Sequence, residues 1–405
     1  MPTSATPPLH KLRSGATPSS VKAKRDADNL PRIDIPVRDP DPENEACETL
    51  FRRGRFLARQ EAWDKLGMEI CTSDAERRMT PGLTPAAYWL AVGARRDAVA
   101  AARDALSRND TRAVHAAIAA LEINQVELPD CPALAYVVTM AHIDLAAAWR
   151  GNRPLSKLPP AQRESHDRHM RVAMDLVDRH DPLEFNSGLW AFARCAVLAA
   201  DPRATQRVAD DYEDLIDLDP GCILHPMALG RDLTPQRFGS YEALDVQARR
   251  TASRTGDVWG DGAYTLVYMG ALQTDPGAVL RLDAELFVAG LHDLLTLHPQ
   301  QSMVNRMAAF CGVTLAGRNV PGSARARISD CFNWIVEDYL TELHPAIWAS
   351  AAPTATAPLA TEDRDKVRRG MSRAISTLSE RYSHRIADGE RLIFTPSGLT
   401  FSHSA

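Results

Sequence analysis

Apolar residues recur at three- and four-residue intervals along most of this chain, and the segments they mark end at an acidic or histidine residue followed by proline. These breaks are Asp181-Pro182, Asp219-Pro220, His298-Pro299 and His344-Pro345, with Asp201-Pro202 and Asp275-Pro276 falling between them. The spacing places apolar side chains on one face of a helix, and a proline beyond the break cannot continue it. The pattern therefore predicts an irregular stack of antiparallel helical hairpins, an all-α fold.

The pattern also predicts where the elements lie. Residues 1–44 are rich in Pro, Ser, Thr and Asp without periodic apolar positions and read as a disordered tail. Helical periodicity begins near Glu45 and breaks at the proline- and glycine-bearing stretch 78–85. Two helices are expected between Ala86 and Glu122, the second showing Val114, Ile118 and Leu121 on one face with Asp110 or Thr111 as its N-cap. A further stripe is formed by Leu134, Val138, Ala141 and Leu145. Residues 221–240 are less regular. The clearest stripe runs through Phe332, Ile335, Val336, Tyr339, Leu340 and Leu343, so the hairpin stack is expected to span 45–348. An Ala/Pro/Thr linker is expected at 349–361. Residues 362–405 then predict one more helix and a small C-terminal β-hairpin turning at Pro396-Ser397-Gly398.

The prolines give an uneven period: 38 residues from Pro182 to Pro220, 79 from Pro220 to Pro299 and 46 from Pro299 to Pro345. With Pro220 as a closing proline, Tyr212 and Phe192 stand at aromatic positions of a helix pair. Ala196 and Val208 take its small positions. In this register the stretch 189–220 resembles a tetratricopeptide-like repeat. The resemblance implies a helical-repeat solenoid of the kind used to bind protein partners, and it carries over no catalytic residue.

Composition narrows the chemistry. The 405 residues carry a formal net charge of -5 with both signs mixed, so no basic stripe for nucleic acid is present. Arginine supplies nearly all the positive charge, a bias that GC-rich bacterial genomes produce, and the few lysines sit in no P-loop or Schiff-base motif. Seven widely spaced cysteines contain no CxxC pair, so neither disulfides nor a zinc site is expected, and a cytoplasmic location follows from reduced thiols. No membrane span, metal or cofactor is expected, and no hydrolase, metalloprotease or kinase motif argues for an enzyme.

Three clusters remain as candidates. His166 and His169 lie three apart on one helix face, a chelating spacing, but their charged surroundings read as a solvated face. Trp149 and Arg150 end the helix that carries His142 and Asp144 and suit a stacking, anion-binding corner. Arg237, Phe238 and Tyr241, with Trp259 and Tyr264 downstream, gather the residue types that dominate binding hot spots. The resulting expectation is a protein- or peptide-binding scaffold using Arg237, Phe238, Tyr241, Trp259, Tyr264, Trp149 and Arg150. The alternative is a small-ligand or enzymatic pocket lined by 142–150 and 237–268.

Overall fold

A computed structural model describes residues 32–351 and 364–403. The first half of the chain forms six long or medium helices: α1 (Pro42–Arg59), α2 (Trp63–Ala75), α3 (Ala86–Ser107), α4 (Thr111–Glu127), α5 (Pro132–Arg150) and α6 (Pro160–Val177). Asp110 caps α4 by accepting from Ala113 N–H at 3.0 Å, as its position predicts. α1 lies on α3, α3 on α5, and α5 on α6, enclosing an N-terminal core that includes Leu57, Leu66, Ile70, Tyr136 and Trp190.

The helices then shorten: α7 (Gly188–Ala196), α8 (Ala204–Leu218), α9 (Leu224–Asp232), α10 (Tyr241–Arg254), α11 (Gly256–Trp259) and α12 (Gly262–Leu272). α13 (Ala284–Leu297), α14 (Gln301–Ala309), α15 (Ala324–Asp338), α16 (Pro345–Ser350), α17 (Arg364–Arg381) and α18 (Ser383–Ala387) complete the set. All eleven residues of α12 are buried, which makes it the axis of a second, larger core. Half-buried Phe192 on α7 packs against both cores and marks the seam between them.

Successive helices pair as hairpins where the repeat resemblance was read, α7 against α8, but packing also skips neighbours, as in α1 on α3 and α9 on α12. Glycines allow this. A Cβ on Gly230 of α9 would stand 1.8 Å from Val267 O, and one on Gly270 of α12 would stand 1.8 Å from Met227 O. The two helices thus cross with backbone against backbone, a contact that only glycine at both positions permits.

The C-terminal hairpin is present as expected: β2 (Glu390–Thr395) pairs antiparallel with β3 (Gly398–His403), with Leu392 opposite Phe401. The reading of residues 1–44 as a disordered tail is corrected over 32–44. Ile33 and Ile35 are buried, β1 (Ile33–Asp34) adds a parallel strand to β2, and α1 begins at Pro42. The period-two run Ile33, Ile35, Val37 is a strand pattern too short to stand out beside a proline-rich tail. Residues 1–31 lie outside the described residues, as do 352–363 of the Ala/Pro/Thr stretch, whose first two positions belong to α16.

A second correction concerns apolar length. α5 has 19 residues and is long and apolar enough by composition to cross a membrane, although no such stretch was expected; 67% of its most apolar 18-residue window is buried within the fold.

Candidate functional site

The Asp219-Pro220 break, read from sequence as punctuation, brings together three metal-ligating residue types. Asp219 caps the end of α8, Cys222 lies in the turn, and His225 stands in the first turn of α9. A carboxylate oxygen of Asp219, the Cys222 sulfur and a ring nitrogen of His225 all lie within 4.8 Å of one another, and all three residues are buried. His225 Nε2 sits 3.1 Å from Asp219 Oδ2. The remaining polar atoms, Asp219 Oδ1 and His225 Nδ1, are buried without a hydrogen-bond partner among the described residues. Leaving such atoms unmatched costs about 1–3 kcal/mol each, a cost that a bound ligand would relieve.

These residues line a cavity of about 80 Å³ at the seam between the two cores, completed by Tyr88, Leu189 and Phe192 and by Asp74 from α2. Gly188 opens the space between the two carboxylates. A Cβ there would lie 3.5 Å from both Asp74 Oδ1 and Asp219 Oδ2. Asp74 is held by the Ser187 hydroxyl and by Leu189 N–H at 3.2 Å.

Electrostatics bind the cluster together. Burial disfavours the charged His225 ring, but the Cys222 sulfur and the Asp219 carboxylate outweigh it and raise its pKa to about 10. Burial pushes the Asp74 carboxyl above the usual range, against the pull of Ser187, Arg77 and Leu189 N–H, with nearby Asp219 adding to the rise.

Two residues outside the cavity hold its walls. Arg77 donates to Leu218 O at 2.6 Å and to Asn186 O at 2.8 Å, tying the end of α8 to the turn before α7. Trp259 donates its indole N–H to Pro220 O at 2.7 Å, fixing the turn from behind.

Trp259 and Tyr264 therefore cannot form the exposed hot spot expected from sequence: they are 1% and 0% exposed. Tyr264 accepts from Asp283 N–H at 2.9 Å, and Tyr241 donates to Asp275 at 2.9 Å, so both pin helices together. Arg237 is exposed, stacks on half-buried Phe238 and pairs with Asp232 at 3.1 Å. Trp149 is half-buried against the N-terminal core, and no ring contact joins it to Arg150 among the described residues.

The side chains named for the alternative pocket, from 142–150 and 237–268, pack in different places among the described residues. His142 belongs to the N-terminal core, where its Nδ1 meets His169 Nδ1 at 2.9 Å, whereas Trp259 and Tyr264 belong to the other core. Asp144 turns away to Arg95 at 2.7 Å. His166 and His169 are both buried, not solvated, and they diverge. His166 pairs with Asp167 at 2.9 Å while His169 faces His142.

Sequence reasoning passed over Asp219, Cys222 and His225 because it sought CxxC or paired histidines. The available signal was three ligand types at intervals of three across a proline turn. Comparison of the chain with protein-family models, with curated proteins and with solved structures finds no match.

Proposed function

We propose that this chain is a helical metal-binding protein whose site is the Asp219–Cys222–His225 turn, with Asp74 across the cavity. The observation that carries the reading is the convergence of thiol, imidazole and carboxylate around two buried, unpartnered polar atoms. A mixed S, N and O donor set suits a borderline-soft divalent ion such as zinc, and three protein donors beside a cavity leave a coordination position for a small exogenous ligand. The burial of Trp259 and Tyr264 takes two residues out of the aromatic patch on which a peptide-binding reading rests.

Titration of the reduced protein with Co²⁺ tests the proposal. One ion should bind per chain with a thiolate-to-cobalt charge-transfer band that Zn²⁺ abolishes by displacement, and C222S should lose the band while keeping its helical circular dichroism. A cobalt spectrum without a thiolate band, or one unchanged in C222S, would sink the assignment. Asp74→Asn should weaken binding about 10- to 100-fold, the range for groups that support metal ligands, read from competition with a chelating dye.

A further inference from the structure

A second cavity, of about 180 Å³, lies where α1, α14, α16 and α17 meet, and Arg306 of α14 lines it. The Arg306 guanidinium makes no hydrogen bond or ion pair with any described residue. Other partly or fully buried arginines are held: Arg77 by carbonyls, Arg95 by Asp144, Arg194 by Asp211 and Arg207 by Asp201. A guanidinium presents five donors in a planar fork, and withdrawing it from water without an acceptor is costly. Burial accordingly pulls Arg306 below the usual arginine range despite the proximity of Glu43, Cys222 and Asp41.

The nearby acids are already engaged. Glu43 accepts from Gly82 N–H at 2.6 Å and the Thr84 hydroxyl at 2.8 Å, and Asp41 accepts from the backbone and side chain of Asn44 at 2.9 and 2.8 Å. The rest of the lining supplies further donors: the Ser302 hydroxyl, the Gln273 amide and the exposed Lys366 ammonium make no hydrogen bond to a described residue. The chain itself opens the space. α14 passes into a π-helical turn, Phe310–Thr314, and both end residues of that turn line the cavity. Such turns recur at functional sites because the extra residue widens the helix locally.

We infer that this cavity binds a small oxyanion, a carboxylate or phosphate group, on the fork of Arg306 with Ser302, Gln273 and Lys366 around it. Planar bidentate recognition of either group is what a free guanidinium offers. The volume falls below the 300–1,000 Å³ or so of sites for drug-sized molecules, which favours a small ion over a nucleotide. The inference does not depend on the metal site, since it uses none of its ligands.

Thermal denaturation and titration calorimetry of the chelator-treated full chain test it, with sodium phosphate, acetate and succinate compared against sodium chloride at equal ionic strength. A saturable rise in melting temperature with phosphate alone, or with the carboxylates alone, supports the site and identifies its ligand class. Arg306→Gln should abolish the rise and Lys366→Gln should weaken it. If Arg306→Gln does not fold, Arg306→Lys, which keeps the charge but loses the fork, should bind at least about tenfold more weakly by calorimetry. No saturable response to any of the three anions, or equal responses in wild type and the Arg306 variants, overturns the inference.

Discussion

Trp259 and His169 illustrate how a side chain's role depends on what surrounds it. The Trp259 indole N–H reaches Pro220 O, so Trp259→Phe leaves a carbonyl unmatched beside the Asp219 turn. The substitution should cost about 1 kcal/mol for the lost hydrogen bond, seen as a lower urea midpoint at unchanged slope. His169 is buried against His142 and His115, and burial together with those rings lowers its pKa from 6.5 to about 4. The folded chain thus resists a proton that the unfolded chain accepts. The stability tied to neutral His169 is fully present above pH 6.5 and is lost as pH falls from there to about 4. Replacing it in His169→Asn should flatten the acid limb of a stability–pH profile by at most about 1.4 kcal/mol per pH unit. An acid limb unchanged in the variant would show that the proton is taken up elsewhere.

At the scale of elements, helix ends and crossings decide the geometry of the metal-ligating turn. α9 begins one residue before His225, and its crossing with α12 sets its position. Because Gly270 faces Met227 O and Gly230 faces Val267 O, no rotamer change can relieve an added methyl. Gly270→Ala should therefore destabilise the fold by about 1–3 kcal/mol or more, the range for overpacking, measured by chemical denaturation. The same shift should move α9 and weaken cobalt binding, whereas Gly256→Ala, where a Cβ meets nothing within 4 Å, should leave binding intact. The capping residue of α4 was legible beforehand. Asp110 accepts from Ala113 N–H, three residues on, as its position implies.

In the whole molecule, two hydrophobic cores share the seam at α7, and the first and last described segments meet in one sheet. Leu392 of β2 is fully buried and pairs with Ile33 at the start of the described chain. Leu392→Ala should cost about 2–5 kcal/mol, and a cooperative loss at all wavelengths of a thermal scan would show that the sheet folds with the helices. An unchanged midpoint would mean that the sheet is an appendage. The all-α class, the prolines that end segments and the C-terminal hairpin were already determined by the sequence, because periodicity and backbone chemistry act within a few residues. Tertiary structure alone decided that Trp259 is buried, that His166 and His169 part company, and that Asp74 comes to face Asp219 from across the seam. Those outcomes depend on which helices cross and how closely. That is governed by glycine-to-backbone contacts between residues far apart in the chain, which local periodicity does not encode.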